Sequence, residues 1–254
     1  MDLSFRQQFS ERWAKYFPGA EWPIAFYYTD AESAADERLA APADRCLIGA
    51  LATDRNGQTW RYSRATPGCA GGKRYTGFSS QLRPKFEYFL SCGIPGELEG
   101  ERYKQSPELV QALLQRQPPF EAPGQYLVFK RWDALEAQDE PVAVIFFAPP
   151  DVLSGLFTLA NYDEADLFSV IAPMGSGCAS IIQYPYRESQ SEHPRAVLGM
   201  FDVSARPCVP AGSLTFTVPW RKFTRMVANM DESFLITEAW ASVRERLNDT
   251  THGH

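Results

Sequence analysis

"WPIAFYYT", Trp22 to Thr29, is apolar or aromatic at nearly every position. A strand with one solvated face alternates in polarity, so an unbroken run of this kind marks a strand covered on both faces. "EPVAVIFFAPP", Glu140 to Pro150, is a second such run, and "TWRYSR", "QYLVFKRW", "LFSVIAP", "RAVLGMFDVS" and "SLTFTVP" add further strand-like stretches. Around them the spacing predicts helices. Phe5, Phe9, Trp13, Tyr16 and Phe17 recur at helical intervals over 3–17, before Pro18-Gly19 ends the pattern. Other helices are expected near 44–52, over 84–90, after Asp151 as a cap, over 220–230 and over 231–247. A further one over 107–115 starts from Ser106-Pro107-Glu108, which supplies an N-cap, a proline at the first helical position and an early acid. Strands alternating with helices predict an α/β or α+β fold, a mixed sheet with flanking helices.

The 254 residues are read as one globular domain, 1–254. A net charge of −6 and a pI near 5.2 speak against a nucleic-acid partner, which needs clustered Lys and Arg. The one basic cluster, "WRKFTRM" (220–226), is expected to place Arg221, Lys222 and Arg225 on a solvated helix face. No apolar run is long enough to cross a membrane and the N-terminal stretch lacks the apolar centre of a signal peptide, so a cytoplasmic protein without a membrane partner is expected. Five cysteines then read as free thiols or ligands rather than a disulfide framework. Histidine is confined to His193 and the terminal "HGH", which leaves thiols, carboxylates, Arg, Tyr and backbone for any chemistry.

Two stretches share a Gly-Cys-Ala core: "PGCAGG" (67–72) and "GSGCAS" (175–180). Each follows a strand-helix-strand pattern that opens on a similar run, "PIAFYY" or "PVAVIFF". This suggests two pseudo-symmetric halves, 20–122 and 126–247, which would bring Cys69 and Cys178 to opposite walls of one cleft. A thiol at a glycine-rich corner before a helix receives backbone N–H groups that favour the thiolate, and the glycines let backbone donors approach a bound anion. Cys69 and Cys178 are therefore the candidate catalytic residues, with Gly68, Gly71, Gly72, Arg74, Ser176 and Gly177 as candidate ligand-binding residues. As metal ligands, Cys69 and Cys178 would need a third thiol, and Cys46, at the start of "CLIGALA", is the candidate, with Cys208 as the substitute. The bland alternative is that these cysteines are small residues filling tight bends.

The glycine-rich "GCAGGKRYTGF" has Lys73 and Arg74 as charge partners but lacks the Gly-Lys-Ser/Thr end of a phosphate-binding Walker loop. "GELEGERYKQSPE" (96–108) is a long loop, read as solvated with a lid or cleft rim as the alternative, and Asp202 with Arg206 is expected to make an ion pair in "FDVSARP". Cys92 and Cys208 lie in loops without supporting neighbours.

"CAGGKRYTGF", "GELEGERYKQSPE", "PVAVIFFAPPDVLSGLFTLANYD", "MGSGCASI", "GMFDVSARP", "LTFTVPWRKFTRM" and "ESFLITEAW" together resemble an uncharacterised family, catalogued as domain of unknown function 169 and met largely in archaea and anaerobic bacteria. The resemblance runs over nearly the whole chain and implies one cytoplasmic domain type; it brings no reaction and no catalytic residue. The function expected from the residues is a cleft between the two cysteine turns that binds a metal, an iron–sulfur cluster or a small anionic ligand. Two alternatives stand beside it: a cofactor-independent enzyme of racemase or epimerase type, with one cysteine as thiolate and the other as thiol, and a non-catalytic sensor or interaction protein.

Overall fold

The run from Ala143 to Ala148 is buried at all six positions and forms the central strand expected of it. The computed structural model describes residues 1–32, 46–53 and 59–252. In chain order its elements are α1 (Leu3–Tyr16), β1 (Ile24–Thr29), α2 (Leu47–Thr53), β2 (Trp60–Ser63), α3 (Ala70–Tyr75), α4 (Phe86–Phe89), α5 (Pro107–Arg116) and β3 (Tyr126–Arg131). There follow β4 (Ala143–Ala148), α6 (Pro150–Asn161), β5 (Val170–Ile171), α7 (Tyr184–Ser189), β6 (Ala196–Gly199), β7 (Leu214–Pro219), α8 (Trp220–Asn229) and α9 (Glu238–His252).

The strands form one seven-stranded mixed sheet in the order β2-β3-β1-β4-β7-β6-β5, in which only β5 and β6 run parallel. The fold is α+β. Alternation along the central strands sends Ala25, Val144 and Phe146 to one face and Ile24, Phe26, Ile145 and Phe147 to the other. The first face is covered by α1, α6, α8 and α9, whose rings interlock: Phe9 lies 4.5 Å from Trp132, and Trp13 lies 4.5 Å from Phe17 and 5.1 Å from Phe146. The second face is covered by α2 and by a helix that begins at Gly177, passes through a π-helical turn (Ala179–Gln183) and continues as α7. Both cysteine turns belong to this second face.

Read outward from the centre, β1-β3-β2 and β4-β7-β6 follow the same rule: first strand, third strand, second strand. The chain order read from the sequence is present before both turns, strand, helix, strand and then cysteine, as β1-α2-β2-Cys69 and β4-α6-β5-Cys178, but β2 pairs antiparallel with β3 whereas β5 pairs parallel with β6.

Several local expectations are corrected. Lys222 is not on a solvated face: its side chain is 2% exposed and donates to Glu164 at 3.3 Å, in a network where Arg225 also meets Asp163 and Glu164. One step before Phe223 on the helix, Lys222 is drawn under the chain by an acid 58 residues away. Asp151 is not the cap of α6, which starts after Pro149; it lies in the first turn and pairs with Arg246. The last helix starts at Glu238 rather than 231, since Asp231 bonds Arg12, Lys15 and Tyr16 of α1 and the chain turns through a 3-10 helix, Phe234–Ile236, first. Of the helix expected near 44–52, residues 44 and 45 lie outside the described residues.

Gly155 sits where α6 meets α1 and α9. A methyl group there would collide with the Trp240 indole and lie 2.7 Å from the Phe17 ring. Helix propensity favours Ala over Gly by about 1 kcal/mol. Overpacking costs about 1–3 kcal/mol, and both rings are buried. Gly155→Ala is thus expected to lower stability in urea unfolding, against its propensity; an unchanged or raised midpoint would refute this packing.

Candidate functional site

The first cysteine turn is built from the end of β2. Ser63 and Thr66 close a small turn, with Ser63 N–H donating to Thr66 Oγ1 at 2.9 Å, and Pro67-Gly68 then lead to Cys69, the N-cap of α3. The Cys69 sulfur accepts the Gly72 N–H at 3.2 Å and remains solvent-exposed. The glycines have a specific neighbour. A Cβ on Gly68 would lie 2.7 Å from the Tyr62 hydroxyl, and one on Gly72 would lie 3.3 Å from it and 3.4 Å from Cys69 Sγ. Gly71 stands against the Tyr75 ring.

Tyr62 itself is 3% exposed, and among the described residues its buried hydroxyl has no hydrogen-bond partner. Its ring packs on Phe78 at 5.9 Å and lies under the Lys73 ammonium at 4.4 Å. Lys73 donates to the carbonyls of Ser63 at 2.5 Å and Arg64 at 2.9 Å, and burial, helped by the Arg64 charge, lowers its pKa to about 8. Arg74, 5% exposed, donates to the Ser80 carbonyl at 2.6 Å.

The second turn starts the π-containing helix. Ser176 Oγ accepts the Ala179 N–H at 3.2 Å, and Gly177 N–H donates to Asp202 Oδ2 at 3.0 Å. Gly177 is pressed between Ile48, Ala205 and Met200, each 3.2–3.3 Å from where its Cβ would be. Met200 carries a φ of +73°, a left-handed backbone that non-glycine residues seldom adopt. The strain lies beside Gly199, where any Cβ would collide with Ser180. π-helical turns recur at functional sites because they re-aim side chains within a helix. Cys178, immediately before this one, is 5% exposed.

The two turns meet. Burial pushes the Cys178 thiol well above its ordinary pKa, and the charges of Cys46, Cys69 and Asp202 push it the same way. The Tyr62 phenol is raised first by burial and then by Cys178 and Cys69. Tyr75 of α3 is raised by burial, lowered by the Arg74 guanidinium, raised by Cys178 and lowered by a hydrogen bond with Ser176. Cys46 opens α2, where Gly49 and Ile48 N–H groups face its sulfur, yet burial keeps its pKa raised. Cys208, expected to lack neighbours, packs on the same helix: a Cβ on Gly49 would lie 3.4 Å from its sulfur. Cys92 belongs elsewhere, in the 91–105 loop, where it bonds Gly93 O. Among the described residues, no group of three or more His, Cys, Asp or Glu side chains is arranged to hold a metal ion.

Asp202 does not pair with Arg206, which donates instead to the carbonyls of Ser213 at 2.6 Å and Ala211 at 2.8 Å. The reason is competition from closer donors: Tyr103 OH at 3.0 Å, Ser204 Oγ at 2.8 Å and Gly177 N–H already hold the carboxylate. Tyr103 comes from the 96–108 loop. That loop is internally tied, with Ile94 N–H to Leu98 O and Glu101 N–H to Phe89 O both at 2.7 Å.

A family model matches residues 20–229, under the description uncharacterised ArCR, domain of unknown function 169. The chain belongs to this family. Neither the curated proteins nor the solved structures give a match. Among the described residues of this family member, no helix is long and apolar enough to cross a membrane. Tyr62, Tyr75 and Tyr103 were not singled out from the sequence. Alternation in "TWRYSR" already sets Trp60 and Tyr62 on the same inner face, but nothing local says that the Tyr62 hydroxyl finds no partner there.

The raised Cys178 pKa has a stability consequence of defined sign. The fold favours the neutral thiol, so its contribution is full below the unfolded thiol value near pH ~8.5 and is lost as pH rises towards the folded value. Unfolding free energy is expected to fall above that pH by up to about 1.4 kcal/mol per unit for one thiol. Cys178→Ala should flatten the decline between pH ~8.5 and ~9.5; urea titrations with equal slopes for both proteins would contradict it.

Proposed function

We propose that the space between the two Gly-Cys-Ala turns binds a small polar molecule, with the Tyr62 hydroxyl as hydrogen-bond donor, Cys69 as the solvent-facing thiol and Cys178 as a buried, protonated one. The observation that carries this reading is the orphan hydroxyl. A buried hydroxyl without a partner costs about 1–3 kcal/mol, and such groups persist where a ligand completes them. Gly68, Gly71 and Gly72 support the reading by keeping side-chain bulk away from Tyr62 and its neighbour Tyr75. Ser176 and Gly177 shape the opposite wall.

A small molecule is favoured over a metal ion or an iron–sulfur cluster. Among the described residues, the donor set lacks a third member in position. All five cysteines are unpaired, which accords with a reducing cytoplasmic setting.

The test is Tyr62→Phe. In the ligand-free protein the substitution removes an unsatisfied buried hydroxyl and leaves the ring, so stability should rise by about 1–2 kcal/mol in urea unfolding. A hydroxyl with a purely structural bond would give the opposite sign, and a destabilised Tyr62→Phe protein would overturn the proposed site.

A further inference from the structure

We propose that the ligand of this site is an oxyanion, a carboxylate or phosphate group, and that Arg74 is its charge partner. The inference rests on the proposed pocket and adds the class of molecule it takes. Its starting point is a contrast among the buried cations. Lys130 meets Asp139 at 3.0 Å and Glu136 at 2.9 Å, and Lys222 meets Glu164 at 3.3 Å. Arg74 is as deeply placed, yet among the described residues it pairs with no carboxylate and makes one hydrogen bond, to the Ser80 carbonyl. A guanidinium has five N–H donors in a planar fork suited to two oxygens of one anion. A buried charge without a counter-charge is costly, so an unpaired one marks a place where the counter-charge is brought in.

Arg74 stands on α3, the helix that Cys69 caps and whose Gly72 lies against the Tyr62 hydroxyl. Among the described residues, the nearby carboxylate of Asp202 is already held by Tyr103, Ser204 and Gly177. Lys73, over the Tyr62 ring, adds a second cation close to the orphan hydroxyl. An oxyanion at Arg74 would supply the counter-charge that the described residues do not.

The experiment follows thermal midpoints of wild type, Arg74→Met and Arg74→Lys in inorganic phosphate and in acetate, with ionic strength held constant by sodium chloride. Non-specific salt effects act on all three proteins, so the readout is the difference between variants. The wild-type midpoint is expected to rise saturably, by about 3–6 °C at ten times the dissociation constant. Arg74→Met should lose that rise, and Arg74→Lys, which keeps the charge but not the fork, should retain it at higher anion concentration. A response to phosphate alone assigns a phosphate-bearing ligand, and a response to acetate alone a carboxylate. Equal behaviour of wild type and Arg74→Met in both salts overturns the inference. If Tyr62→Phe is nevertheless stabilising, the pocket stands with an uncharged ligand, so the two failures are distinguishable.

Discussion

Strands β1 and β4 lie side by side at the middle of the sheet, and the placement of everything else depends on that antiparallel pairing. Ile24, Ala25 and Phe26 face Ile145, Val144 and Ala143, all buried, so neither strand can slip without turning apolar side chains to the wrong face. The pairing sets β3 and β2 outward on one side and β7, β6 and β5 on the other. It also decides which face the cysteine turns share. Helices α1, α6, α8 and α9 crowd the first face with interlocking rings, which leaves the second face for the shorter elements that carry Cys46, Cys69 and Cys178.

On that second face the physics changes from packing to close approach. Glycines at 68, 72, 177 and 199 let backbone come within contact of Tyr62, Ile48 and Ser180, where side chains would collide. The strained Met200, the π-helical turn and the orphan Tyr62 hydroxyl all lie on this second face. Each is costly to the fold, and costs of this kind concentrate at functional sites. The two Gly-Cys-Ala turns, alike as sequences, are chemically unlike as structures. Cys69 is exposed and accepts a backbone N–H, while Cys178 is buried and held protonated.

Much of the fold was legible because its central strands are unbroken apolar runs and because α1 and α5 carry clear local signals. The Ser106-Pro107-Glu108 start of α5 and the aromatic stripe of α1 needed no tertiary information. Lys222 was misread because a cation on an amphipathic helix belongs to solvent unless a distant acid claims it, and Glu164 does. The Asp202–Arg206 pair failed for the converse reason, since nearer donors satisfied Asp202 first. The cysteine turns were visible as motifs, and the strand-helix-strand order that precedes each was legible with them. The Tyr62 hydroxyl and the lack of a carboxylate beside Arg74 among the described residues were out of reach, because an unsatisfied group is defined by what distant segments fail to place beside it.

The central claim is that two turns more than a hundred residues apart form one site. A double-mutant cycle of Tyr75→Phe on α3 and Ser176→Ala on the opposite turn, read by urea unfolding, tests it most directly. The account predicts a coupling energy of at least about 0.5 kcal/mol, the signature of residues in contact. Additivity within about 0.3 kcal/mol would mean that the two turns do not share a site.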